Sequence, residues 1–315
     1  MPDVSRDRIA AALIGAYVAD AAALGFHWLY DPDRIAELAA GNPAFRPPDP
    51  ADFEGFKGVF VHPGKVSGDI SQYGAQLRVA VQSMIARDGT FDVSDFQDRF
   101  ADTFGSGGSW NGYIDKATRW TLANLADDKR DPSGGPDDQV PAIARFPAVI
   151  AAGHVSAAEI DRILAITSVT ELAKAWGPSA AALIKASYEG MSPRDAAILV
   201  SRASDGTIGA ALVDAVESAE DDVVAYSGKV GRACTLSQAI PVIFHICARA
   251  ESYRDAVERN IFAGGDNCGR APILGAVFGA AHGVQGAGIP LSWLTKLANA
   301  AEITSEIELL VDSIG

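Results

Sequence analysis

Apolar residues recur along this chain at three- and four-residue intervals and almost nowhere at alternate positions. That spacing lines one side of a helix rather than one face of a strand. The first such run predicts a helix over residues 5–24, with Ile9, Leu13, Ala16 and Tyr17 on one stripe. Ala11, Ala12, Gly15 and Ala19 are small enough for close contact with a second helix, which argues for a central place. An aromatic-rich turn from Gly25 to Pro32 leads to a short helix near 34–40, and the proline-rich stretch 41–50 is a loop. Residues 53–68 read as irregular chain or a short hairpin, the one plausible place for β structure. Helices are predicted near 72–87, 93–103 and 111–125, separated by a flexible loop at 105–109 and followed by a polar loop at 127–139. The rest reads as helices at 140–152, 157–175, 178–188, 193–203, 206–218, 221–226, 236–250, 253–262, 271–282, 291–298 and 305–313. Most are bounded by Gly, Pro or a polar cap. No internal repeat or linker divides the 315 residues, so the expectation is a single all-α domain of orthogonally packed helices.

Composition narrows the class. A hydrophobic content of 48% with 21% charged residues is that of a soluble globular protein. The net charge of −14 argues against nucleic acid or an anionic membrane as partner. Three cysteines, Cys234, Cys247 and Cys268, have no metal-finger spacing and suggest a reducing compartment. The N-terminus lacks the positive bias of a signal peptide, and the apolar stretches look interrupted or too short to span a bilayer. A cytoplasmic monomer or homodimer is the expectation.

Chemistry concentrates in residues 260–290, NIFAGGDNCGRAPILGAVFGAAHGVQGAGIP. Gly264 and Gly265 permit a left-handed backbone, while Asp266 and Asn267 are good helix caps. Gly275, Gly279 and Ala280 leave room for a neighbouring helix. A glycine-flanked helix start with free N–H groups suits a phosphate or an ion, but it is also what an ordinary capped core helix looks like.

The run Gly264-Gly265-Asp266, then Gly275-Ala276, Gly279-Ala280, Gly283, Ile289-Pro290 and Trp293, resembles the C-terminal signature of the ADP-ribosylglycohydrolase family. Three further segments resemble that family in order: residues 15–21, residues 142–147 and the region 235–260. The resemblance implies an all-α fold and hydrolysis of ADP-ribosyl bonds with two Mg²⁺ held by aspartates. Departures stand where those aspartates belong. The early motif falls on Gln72-Tyr73-Gly74-Ala75, unless a shifted register uses Asp69 and Ser71. At the late motif Asp266 matches, but Cys268 and Gly269 replace the second aspartate and the threonine. A thiolate is a poor Mg²⁺ ligand. The resemblance therefore leaves room for one Mg²⁺ at Asp266. The run His27-Trp28-Leu29-Tyr30-Asp31 and the GGDNC run look like those of a divergent branch that includes the J-type crystallins.

The expected function is cleavage of an N- or O-glycosidic bond in an ADP-ribosyl substrate, small or protein-linked. Asp266 and Asp20 would supply negative charge, and His27 or Asp31 would activate water. Asp20 and Asp266 would otherwise need a partner such as Arg270 or Arg145. Cys268, at a helix start, would have a lowered pKa and offer a nucleophile, although a lone cysteine is commonly inert packing. Trp28, Tyr30, Trp110 and Tyr113 would form a face for the adenine, with Ser106, Gly107, Gly108, Ser109 and Asn111 on phosphate and ribose. Gly264, Gly265, Asn267 and Arg270 would hold the pyrophosphate. The alternative is a non-catalytic ADP-ribose-binding or crystallin-like structural protein.

Overall fold

A computed structural model describes residues 3–314. The N-terminal half contributes α1 (Asp3–Ala23), α2 (Pro32–Ala39), α3 (Gln72–Ile85), α4 (Val93–Phe104), α5 (Lys116–Ala126), α6 (Phe146–Ala151) and α7 (Ala157–Leu164). Then follow α8 (Glu171–Tyr188), α9 (Pro193–Ala203), α10 (Gly206–Glu217), α11 (Val223–Val230) and α12 (Leu236–Arg249). The chain closes with α13 (Tyr253–Phe262), α14 (Asn267–His282), α15 (Leu291–Leu294) and α16 (Ala300–Ile314). Among the described residues only isolated bridges occur, Leu29 with Gly58 among them, and no sheet forms.

The organising contact is between α1 and α14. They run antiparallel, so that Ala11 meets Gly279, Gly15 meets Gly275, and Asp20 meets Cys268. A Cβ on Gly15 would fall inside contact distance of the Gly275 carbonyl oxygen, and one on Gly275 inside that of Gly15. Gly279 stands in the same relation to the Ala11 carbonyl. The helices thus touch backbone to backbone, which only glycine permits here. Tyr253 completes the contact by donating from its hydroxyl to Gly15 O at 2.6 Å.

Several boundaries differ from the sequence reading. The stretch 140–152 divides into a 3-10 turn and α6, because Arg145 turns back to the Pro141 carbonyl and to Thr167 Oγ1, at 3.2 and 2.6 Å. The expected helix 157–175 breaks after Leu164, and α8 begins at a new cap, Thr170. Pro178, expected to start a helix, lies inside α8. Helix α5 starts at Lys116 rather than near residue 111, because Asp115 caps it. The stretch Arg6–Phe26, judged too interrupted for a membrane, is in fact long and apolar enough to cross one, yet 94% of its most apolar 18-residue window is buried inside the fold.

The close contact makes a prediction. Gly275→Ala should destabilise the protein by roughly 1–3 kcal/mol, the usual cost of overpacking. Gly228→Ala, on exposed α11 where only the Arg232 side chain is near, should be neutral or stabilising by up to ~1 kcal/mol. Urea unfolding of both variants tests the pair, and equal behaviour would refute the backbone contact.

Candidate functional site

Three helices begin at one place, and the residue that caps each is part of the site. Ser71 caps α3, Asp115 caps α5 and Asp266 caps α14. The antiparallel α1–α14 contact brings the end of α1, and with it Asp20, to the same spot. Asp20 accepts from Ser71 N at 2.7 Å and from Ser71 Oγ at 2.6 Å. Gly74 allows this approach, since a Cβ there would lie 2.5 Å from Asp20 Oδ2. Asp115 accepts from Gln72 Nε2 at 2.8 Å and from Thr118 N at 2.7 Å.

Asp266 is the hub. Its Oδ1 accepts from Gly269 N at 3.1 Å and lies 2.9 Å from His27 Nε2, while Oδ2 accepts from the Tyr73 hydroxyl at 3.2 Å. His27 Nδ1 in turn lies 2.7 Å from His62 Nε2. Asp20, His27, Tyr73 and Asp266 are all at most 1% exposed. Helix N-termini favour negative charge, but desolvation wins. Burial pushes Asp20 up to about 7, against the hydrogen bonds from Ser71, and pushes Asp115 up to about 6.

The aromatic turn reaches this hub through strained backbone. Trp28 has φ of 64°, and Gly264 and Gly265 have 73° and 65°. Trp28 N donates to Gly265 O at 2.8 Å, and Gly265 N donates to Leu29 O at 2.7 Å. These bonds seal the start of α14. Gly264, Gly265, Asn267 and Arg270 are therefore buried and do not present an open pyrophosphate site. A Cβ on Gly265 would meet the Arg232 backbone, so the close approach that its glycine serves is internal. Arg270 donates to Asn260 Oδ1 at 2.8 Å and to Gly264 O at 2.7 Å, holding the glycine turn. The arginine partners considered for the two aspartates are absent: Asp266 takes His27 and Tyr73, and Asp20 takes Ser71.

Other expectations also change. Asp31 is part-exposed and caps α2, its Oδ1 accepting from Arg34 N at 3.0 Å. The Cys268 thiol is fully buried, and burial, with Asp20 and Asp266 adding, pushes it well above the ordinary range. The lowered pKa expected from the helix start is overridden, because a thiolate there would lack solvent. Trp28 and Tyr113 meet edge to face at 5.1 Å, whereas Tyr30 N is tied to Lys57 O. Ser106 and Gly107 are exposed in the turn after α4, next to the part-exposed Gly108. Nearby, Ser109, Trp110, Asn111, Lys65, Asp69 and Arg78 line a cleft of about 360 Å³. Asp69 accepts from Val66 N, so of the shifted register only Ser71 reaches the buried cluster.

His62, Gln72, Tyr73 and Asp115 had no site role in the sequence reading, and Ser71 entered it only through the shifted register. Burial, with Asp266, Asp137 and Asp115 adding, raises the Cys234 thiol. The helix-cap signal marked Ser71 and Asp115 locally. Nothing local marked His62.

The donor set does not fit Mg²⁺, which prefers six oxygen ligands. Both Asp266 oxygens are already engaged, Gln72 and Tyr73 stand where early aspartates would, and a histidine ring fills the space beside the carboxylate. Among the described residues no three His, Cys, Asp or Glu side chains converge on a common point. The single Mg²⁺ expected at Asp266 has no ligand set here.

A family model described as ADP-ribosylglycohydrolase matches residues 1–315. Crystallin J1A of Tripedalia cystophora is 25% identical over 98% of this chain and 97% of its own length. A solved structure titled "ADP-ribosylglycohydrolase-related protein complex" superposes with a TM-score of 0.75 at 18% identity, covering 99% of this chain and 100% of that one.

The buried carboxylates set a pH dependence. Asp20 and Asp115 lose their protons near 3.8 when unfolded, but only at about 7 and about 6 when folded. Between those values the folded state binds more protons, so the stability contribution is full below about pH 4 and is lost as pH rises through the folded pKa. Each group contributes a slope of up to ~1.4 kcal/mol per pH unit. Urea unfolding between pH 4 and 8 should show the decline, and Asp20→Asn should flatten it between about pH 6 and 7. An identical slope in the variant would refute the assignment.

Proposed function

The chain belongs to the ADP-ribosylglycohydrolase family, and from that premise we propose that it hydrolyses a glycosidic bond of an ADP-ribosyl substrate without a bound metal. The observation that carries this reading is the buried His27–Asp266 pair at the start of α14, 2.9 Å apart. A carboxylate that fixes the tautomer of a histidine and stabilises its cation makes an acid–base unit. In a water-excluded setting the same negative charge favours the oxocarbenium character of glycoside cleavage. Asp20, which burial holds near neutrality, is the proton donor for the leaving group. Trp28 and Tyr113 supply an aromatic face, and Lys65, whose ammonium sits 4.0 Å above Trp110, supplies the positive charge for a phosphate.

All three cysteines are free, which supports residence in a reducing, cytoplasmic compartment.

A second reading is a non-catalytic, crystallin-like protein. It is favoured by the end-to-end similarity to Crystallin J1A and by the complete burial of the histidine–aspartate pair. In that case the pair serves as an internal polar tie.

Release of ADP-ribose from ADP-ribosyl-arginine and ADP-ribosyl-serine, in EDTA and in millimolar Mg²⁺, separates the readings. Turnover should survive EDTA, and His27→Gln and Asp266→Asn should each lower kcat by about 10²-fold or more. Turnover confined to Mg²⁺ would refute the metal-free mechanism. Absence of turnover in both buffers would favour the structural role.

A further inference from the structure

One buried histidine has no task in the reaction as described. His62 comes from the irregular segment 54–70, which is laid against the aromatic turn by Tyr30 N donating to Lys57 O and Val59 N donating to Trp28 O. Only 4% of its surface is exposed. Its ring stacks on His27 with centroids 4.9 Å apart, and its Nε2 lies 2.7 Å from His27 Nδ1. Its Nδ1 is buried and has no hydrogen-bond partner among the described residues. A buried polar atom left unmet is costly, so this position is open to an incoming group.

Burial, with His27 and Lys65 near, pushes His62 down to about 2, so its ring is neutral and carries one proton. Two arrangements then satisfy the geometry. In the first, His62 Nε2–H donates to His27 Nδ1, and His62 Nδ1 offers a lone pair. In the second, the shared proton sits on His27 Nδ1, His62 Nδ1 carries N–H, and the positive charge rests on His27 against Asp266. The charged and titratable groups facing this pair are Asp266 at the start of α14, Tyr73 on α3 and Lys65 on the same segment as His62. Asp20, at the end of α1, lies beyond Ser71.

We propose that His62 is a further catalytic residue, whose Nδ1 takes the proton of the attacking water and hands the charge to His27 and Asp266. This rests on the hydrolase reading of the site. The step balances. A water O–H bond breaks as His62 Nδ1–H forms, and His62 Nε2–H breaks as His27 Nδ1–H forms. The freed oxygen electron pair makes the bond to the anomeric carbon. The leaving group departs with the electron pair of the glycosidic bond and takes the proton of Asp20. Proton exchange through solvent between the histidine pair and Asp20 then restores both.

His62→Gln keeps an amide that can donate to His27 Nδ1 but cannot take up a proton. With ADP-ribosyl-arginine or -serine as substrate, it should lower kcat by about 10²–10⁴-fold and leave KM nearly unchanged. Imidazole added to His62→Gly should restore part of the loss. If wild type turns over and His62→Gln matches it, this proposal falls and the hydrolase reading stands. If wild type turns over neither substrate, both fall. Should His62→Gln melt below the assay temperature, through-hydrogen-bond ¹⁵N–¹⁵N coupling in histidine-labelled wild type decides. Coupling between His62 Nε2 and His27 Nδ1 supports the relay, and its absence overturns it.

Discussion

Two helices from opposite ends of the chain meet with no side chains between them, and the site exists because they do. Gly15, Gly275 and Gly279 let α1 and α14 approach until each backbone lies against the other. Close packing of this kind leaves little freedom to slide, since any shift would drive a Cβ into a carbonyl. The antiparallel sense then places the last turn of α1 beside the first turn of α14. Asp20 and Asp266 are neighbours by that geometry, although neither touches the other directly.

Around this fixed pair the helix starts supply polar partners in place of metal ligands. Ser71 serves two purposes, capping α3 and donating to Asp20. Tyr73, two residues further along, reaches Asp266 Oδ2 with its hydroxyl, and His27 reaches Oδ1. A carboxylate buried beside a divalent cation would be stabilised by charge. The same carboxylate beside a tyrosine hydroxyl, a histidine N–H and a helix-start amide is stabilised by hydrogen bonds instead. Gln72, Tyr73 and His27 together supply the hydrogen bonds that hold Asp115 and Asp266.

Much of the fold was readable from periodicity and caps, since long amphipathic runs and Gly or Pro boundaries are local signals. The central role of α1 followed from its small residues, and of the two cap candidates Asp266 and Asn267 the structure takes Asp266, starting α14 at Asn267 rather than near residue 271. The errors have physical causes. Cys268 and Arg270 were read as reactive and ligand-binding from their position at a helix start, but whether such a start is open depends on what covers it. Here the Trp28–Leu29 backbone does so, through bonds to Gly265. Asp31 was grouped with the site through the resemblance, and in the structure its Oδ1 caps α2. His62 was invisible because a partner 35 residues away, across an irregular segment, leaves no periodic trace.

The α1–α14 contact also has a consequence for how the protein is made. Asp20 and Cys268, neighbours in the finished structure, are 248 residues apart in the chain. At ordinary translation speeds of about 5–20 residues per second, the first helix waits roughly 10–50 s for the surface it packs against. Throughout that interval the ribosome carries a nascent chain whose leading helix has the length and greasiness of a bilayer-spanning segment. Such a chain is a natural client for the machinery that shields emerging polypeptides or sorts them to membranes. The long stretch of chain between the two helices thus imposes, before folding, a period in which the first helix must be kept from a wrong destination.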